Sequence, residues 1–165
     1  AHLAALTYVD RQRIVFAGYS WGAMSGALLS SKRWGEALAP GPRFRAAVSF
    51  YPGCFTIRPP NGAPPYHAVN ADIDRPLLVL MGGQDTETPP SECLELLEPA
   101  KSGGAPVHWH VYPEATHCWD CENLNRLRKI GFRGTAVEYR YSKDITADSA
   151  QRMFGFYEQV FAGRP

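Results

Sequence analysis

The pentapeptide Gly18-Tyr19-Ser20-Trp21-Gly22 constrains this chain more than any other segment. An apolar run, Ile14-Val15-Phe16-Ala17, leads into it, and a run with helical character, Ala23 to Leu29, follows. A serine between a strand and a helix sits on a sharp turn that lifts its Oγ out of the sheet, away from competing backbone partners. Glycine is expected on both sides, because a Cβ at either place would crowd the approach of strand and helix. Such a short pattern also arises by chance, so its flanks must carry the reading. Both flanks agree.

The remainder of the chain repeats the alternation of strand and helix. Residues 1–9 read as the end of an amphipathic helix, and a helical or irregular stretch surrounds Trp34 to Leu38. Pro40-Gly41-Pro42 breaks the chain before a strand from Arg45 to Tyr51, and a Pro- and Gly-rich loop follows. A strand from Pro76 to Met81 runs into the loop GGQDTETPP and a helix opening near Ser91. Pro89 and Pro90 suit that helix's first turn, Ser91 is a candidate N-cap, and Glu92 and Glu95 lie near its positive end. After a strand from Val107 to Tyr112 and a long mixed segment, a helix is predicted from Ala147 to Phe161. Its Ala150, Met153, Phe154, Tyr157 and Phe161 recur at helical spacing as a core-facing stripe.

Four short strands separated by helices predict one α/β domain over residues 1–165, with a parallel sheet of about four strands and helices on both faces. The runs AAVSF and LLVLM are apolar on both faces, as parallel strands covered by helices should be. Seventeen Lys and Arg balance sixteen Asp and Glu, which gives no electrostatic case for nucleic acid or an anionic membrane. No apolar run approaches the roughly 18 residues of a transmembrane helix. The chain begins with Ala and has no basic-then-apolar leader, which reads as a processed chain or a fragment.

In parallel sheets ligands bind beyond the carboxyl ends of the strands. Ser20 lies just past the first strand, Asp85 in the loop after LLVLMGG, and His117 in the loop after VHWHVYPEAT. All three fall at one sheet edge, in the order Ser…Asp…His. A serine hydroxyl is a poor nucleophile at neutral pH, so a neutral imidazole has to take its proton and later return it to the leaving alkoxide. A carboxylate on the other ring nitrogen fixes the tautomer and stabilises the imidazolium. The Ser20 Oγ is therefore expected within roughly 4 Å of a His117 nitrogen. His108 and His110 lie within a strand at period two and share a face, and His2 and His67 fall away from the strand ends. A metal centre built from His108, His110, His117, Cys118 and Cys121 lacks a second C-x-x-C or a spaced His pair. A redox CWDC site would follow an early strand, which this one does not. No metal and no cofactor are expected.

GYSWG, MGGQDTETPP and VYPEATHCWD together resemble the dienelactone-hydrolase family of the α/β-hydrolase superfamily. FYPGC before a Pro-rich loop, and EYRYSKDITADSAQRMFGFYEQ near the end, are similar to that family's later strands and last helix. The resemblance covers nearly the whole chain but only about the second half of the family's domain. It implies a hydrolase of small carboxylic esters or lactones, with Ser20 as nucleophile, Asp85 as acid, His117 as base and the Trp21 backbone N–H as one oxyanion donor. Two positions depart from the family. Dienelactone hydrolases proper carry Cys where Ser20 stands, so the lactone substrate is not carried over, and Trp119 replaces a usual Phe and is expected to reshape the pocket wall. The second oxyanion donor belongs to a family loop upstream of the pentapeptide, and losing one donor costs about 10²–10³ in rate. Without the family's earlier strands, IVFAG becomes an apolar edge, so marginal stability and low activity are expected of the chain alone. The other readings are a fragment that only associates and the catalytic part of a prolyl-oligopeptidase-type peptidase, which shares the residue order.

The four cysteines read first as small buried hydrophobes. Cys54 follows one strand, and Cys93 opens the helix after the next, so their Cα atoms can fall within the roughly 4.4–6.8 Å that a disulfide needs. The same pairing occurs in exported relatives of the family, which points to an extracytoplasmic home. Cys118 and Cys121 lie one helical turn apart, where a bond would strain a regular helix, and are expected to stay reduced, which argues in turn for a cytoplasmic protein.

Overall fold

Side chains on alternate positions of four strands hold this chain together. In the computed structural model, which describes residues 2–38 and 41–163, the strands are β1 (Phe16–Tyr19), β2 (Ala47–Phe50), β3 (Leu77–Gly82) and β4 (Val107–Tyr112). They form one parallel sheet in the order β1-β2-β3-β4, with Phe16 beside Ala47, Ala47 beside Leu77 and Leu77 beside Val107. Helices α1 (His2–Ala5), α2 (Trp21–Ser30), α3 (Lys32–Leu38), α4 (Pro90–Ser102) and α5 (Lys143–Phe161) surround it. Pro40, part of the expected chain break, lies outside the described residues.

Because strand side chains alternate, the sheet has two apolar faces. Ala47, Leu77, Val79, Met81 and Val107 meet Met24 and Ala27 of α2 and Cys93 and Leu97 of α4. On the other face Val48, Phe50, Leu78, Leu80 and Tyr112 meet Phe156, Tyr157 and Val160 of α5. Leu77, Val79 and Leu80 have no exposed surface, and burying side chains of this size contributes about 1.5–3 kcal/mol each. The sheet is thus covered on both sides, as the continuous apolar strands require.

The structure corrects the sequence reading at four places. Helix α5 begins at Lys143, four residues before the expected Ala147, because Ser142 caps it by accepting a hydrogen bond from the Ile145 N–H. Its buried stripe runs through Ser149, Phe156, Tyr157 and Val160, and Phe154 is 61% exposed. Two stripes one residue apart fit the same periodicity, and contact with the sheet selects between them. In α4 the cap position belongs to Pro89, with no side-chain cap, so Ser91 stands inside the first turn. The mixed segment contains an antiparallel hairpin, β5 (Arg128–Ile130) and β6 (Ala136–Glu138), whose strands are too short to leave a period-two signal.

Candidate active site

The turn after β1 is built by steric exclusion. Ser20 has φ 50° and ψ −115°, a conformation that costs energy in a residue with a Cβ. It is held by the Ser20 N–H donating to Phe50 O at 3.0 Å and by the Met24 N–H donating to Ser20 O at 3.1 Å. A Cβ on Gly18 would stand 2.4 Å from the Gly22 carbonyl oxygen, so only glycine fits there. Gly22 itself is different: a Cβ there would meet nothing within 4 Å, and the turn does not need its second glycine for space. The Trp21 N–H, first in α2, donates to no acceptor among the described residues.

Two further loops are fastened to each other at the same sheet edge. The Gly83 N–H donates to Tyr112 O at 2.8 Å and the Gln84 N–H to Ala115 O at 2.9 Å, while Gly82 leaves no room for a Cβ against the Ala115 carbonyl. This contact sets Asp85 beside His117, both nearly inaccessible at 3% and 2% exposure. His117 Nδ1 lies 2.8 Å from Asp85 Oδ2, and His117 Nε2 lies 2.9 Å from Ser20 Oγ. Asp85 Oδ1 also accepts from the N–H groups of Glu87 and Thr88, at 2.9 and 2.8 Å, and the Thr88 hydroxyl donates to Oδ2 at 2.8 Å. With both carboxylate oxygens acting as acceptors, the imidazole proton belongs on Nδ1, and Nε2 is free to accept from the serine hydroxyl. The three residues named from the sequence are thereby brought into one hydrogen-bonded line.

Several neighbours were not singled out in the sequence. Thr88 holds Asp85 and also stands 3.1 Å from His117 Nδ1. Its signal was present in Asp85-x-x-Thr88, a spacing at which an Asp caps its own turn. Glu87 Oε2 lies 4.0 Å from His117 Nε2, accepts from the Tyr139 hydroxyl at 2.6 Å, and its Oε1 accepts from Lys129 Nζ at 2.8 Å. Burial acts to raise the Glu87 pKa, but the hydrogen bonds from Lys129 and Tyr139 and the His117 charge outweigh it and hold the carboxyl below its usual range. Lys129 and Tyr139 come from the hairpin strand β5 and the residue after β6, and nothing local announced them. Tyr51, at φ 41°, lays its ring 4.6 Å from the His117 ring and donates its hydroxyl to Asp120 at 2.7 Å. Burial, reinforced by Asp120, pushes the Tyr51 pKa far up, so it stays a protonated donor.

Trp119 does not line the cleft as expected. It is wholly buried, edge-on beneath Tyr51 at 4.8 Å, and so supports the wall from behind. Beside Ser20 a row of rings begins: Trp21, 66% exposed, stands 6.0 Å from Phe55, which stands 5.2 Å from Phe132. Cys54 and Cys93 are joined by a disulfide with Cα atoms 4.9 Å apart. Cys118 and Cys121, expected to be reduced, are also joined. They lie in a turn with Cys118 at φ 58° and not in a regular helix, which removes the geometric objection. Both sulfurs of the C-x-x-C are therefore spent, and the other residues considered for a metal are dispersed: His108 packs near Phe156 and His110 against Tyr112.

Comparison with known proteins follows the same line. The sequence profile of the dienelactone hydrolase family matches residues 1–161. The chain is 28% identical over 115 residues to the "putative carboxymethylenebutenolidase" of Salmonella typhimurium, covering 68% of this chain and 39% of that protein. It is 26% identical over 162 residues to the protein of the same description from Yersinia pestis, covering 96% of this chain and 51% of that one. Among solved structures it is similar to a "putative dienelactone hydrolase" from Klebsiella pneumoniae, with a TM-score of 0.70 at 23% identity over 94% of this chain and 56% of that one. The chain thus spans about half the length of the relatives it matches or less.

Proposed function

Since this chain belongs to the dienelactone hydrolase family, we propose that it is the catalytic part of a serine hydrolase that cleaves small carboxylic esters or lactones through an acyl-enzyme, within a single α/β-hydrolase domain. The observation that carries the proposal is the continuous line from Asp85 Oδ2 through His117 to Ser20 Oγ, with steps of 2.8 and 2.9 Å. In the first half-reaction the Ser20 Oγ attacks the carbonyl carbon while His117 Nε2 takes the hydroxyl proton. The Trp21 N–H lies at the helix start, where it can donate to the oxygen on which charge develops. Collapse of the tetrahedral species breaks the carbon–oxygen bond, and His117 returns its proton to the leaving alkoxide. Water then repeats the sequence on the acyl-serine, releasing the acid and restoring the enzyme. Asp85 orients and stabilises the imidazolium, while Thr88 holds Asp85.

A fluorophosphonate should label the protein once, on Ser20, and p-nitrophenyl acetate should be turned over faster than a peptide anilide. Ser20→Ala is expected to abolish labelling and to lower esterase turnover by at least about 10⁴-fold. Undiminished labelling of that variant would overturn the assignment of the nucleophile. Preferential cleavage of the anilide would replace the esterase by a peptidase.

A further inference from the structure

At the amino ends of the strands, the end of the sheet opposite Ser20, arginines gather around a cavity of about 570 Å³. Arg13 stands three residues before β1, and Arg45 and Arg75 stand two before β2 and β3. The Arg45 N–H donates to Ile14 O at 2.6 Å, which ties the approach of β2 to that of β1. Because Ala47 and Leu77 are paired across the sheet, Arg45 and Arg75 enter it side by side. Arg11 and Arg43 complete the lining, and Asp10 is the one carboxylate in it. Asp10 already accepts from the Gln12 N–H at 2.9 Å.

Of these five cations, Arg43 alone has a carboxylate partner among the described residues. Arg43 donates to the carbonyls of Leu29, Ser30 and Ser31 at the end of α2 and pairs with Asp74 at 2.8 Å. Arg13 lies over the Phe161 ring, 4.6 Å from its centre, and has no carboxylate partner. Arg11, Arg45 and Arg75 have no ion pair among the described residues. Guanidinium groups that line one cavity without counter-charge repel one another, and a bound anion relieves that repulsion.

From this juxtaposition we propose that the arginine-lined cavity is a second ligand site, separate from the catalytic serine, for a small molecule bearing a diphosphate. Arginine's planar fork matches phosphate oxygens two at a time. Four guanidiniums without carboxylate partners call for a ligand with several negative charges. The volume exceeds what one phosphate fills and lies within the usual range for small-ligand sites. The lining offers little apolar surface beyond Phe161, which Arg13 already covers, so recognition rests on charge.

Titration calorimetry of the full chain with pyrophosphate, ADP and citrate, at low salt and at about 150 mM salt, tests the site. Pyrophosphate or ADP should bind at both salt concentrations, and citrate at least tenfold more weakly. Tighter binding of ADP would assign the site to a diphosphate ester, and tighter binding of pyrophosphate to the free diphosphate. Arg11→Ala/Arg45→Ala removes two exposed side chains and spares the structural Arg43. This variant should keep the melting temperature and bind at least tenfold more weakly, whereas Ser20→Ala should bind as the parent does. Absence of binding, citrate binding as tight as pyrophosphate, an unaltered affinity in the double arginine variant, or loss of binding in Ser20→Ala would each overturn the proposal.

Discussion

The residue that most distinguishes this site is Glu87. A second carboxylate lies 4.0 Å from the serine-facing nitrogen of His117, and Lys129 and Tyr139 keep that carboxylate charged and in place. Glu87→Gln preserves the shape and removes the charge. Because the imidazolium formed in the proposed reaction then loses a nearby counter-charge, kcat should fall by about fivefold or more with KM nearly unchanged. A loss matched by an equal fall in the folded fraction would show that Glu87 acts through packing. Thr88→Val tests the other support. It leaves Asp85 two backbone donors and deletes the hydroxyl at 2.8 Å, so kcat should fall roughly tenfold with KM nearly unchanged, as expected for one hydrogen bond of about 1–1.5 kcal/mol. Equal losses in kcat and melting temperature-dependent folded fraction would make Thr88 merely structural. The two residues differ in what the sequence shows of them. Asp85-x-x-Thr88 could be read as a turn, but Glu87 acquires meaning only once the hairpin arrives.

At the scale of elements, that hairpin is the least anchored part of the site. Strands β5 and β6 pair only with each other, and β5 is exposed along its length. Their ties to the loop that carries Asp85 include Lys129 to Glu87 and Thr86 Oγ1 donating to Ala136 O at 2.9 Å. The folded pKa of Glu87 is depressed. Its contribution is thus fully present above the unfolded carboxyl value of about 4.3 and is lost as pH falls below that through the folded value. Amide protection over residues 128–138 is therefore expected to hold at about pH 5 and to drop below about pH 4, before the amides of β3 respond. Simultaneous loss in hairpin and sheet would show that Glu87 does not govern the docking. The row formed by Trp21, Phe55 and Phe132 depends on this element too, because Phe132 sits in the hairpin turn, with Arg133 5.3 Å from the Phe55 ring and its Nη2 2.7 Å from Glu92.

For the whole molecule, the Cys54–Cys93 bridge joins the loop after β2 to the start of α4 across a separation of 39 residues. The chain-entropy account gives about 3–4 kcal/mol for a loop of this size. Cys54→Ser/Cys93→Ser should therefore lower the melting temperature by roughly 6–16 °C in a chain of this length. A shift of a degree or less would mean that the sheet alone holds these loops together. The sheet has a free margin at β1, where Tyr19 is 46% exposed and the strand pairs only with β2. A margin of this kind offers unpaired backbone groups to which a further strand can bond.

What the sequence determined by itself was local or periodic. The strand–turn–helix around Ser20, the four apolar strands and the placement of Ser20, Asp85 and His117 at one sheet edge all follow from apolar runs and turn residues a few positions apart. The need for glycine at Gly18 was legible in the same way, although Gly22 proved sterically free. Tertiary structure alone decided which of two equivalent stripes of α5 was buried, since Phe154 and Phe156 differ only in what the sheet presents to them. It decided that Trp119 lies under Tyr51 and not in the cleft, and that Cys118 and Cys121 share a turn whose backbone permits a bond. It also brought Lys129 and Tyr139 to Glu87, and Arg45 beside Arg75, across separations that no periodic pattern spans. Periodicity reports how a segment faces its nearest layer, whereas these contacts depend on where separate loops and layers meet.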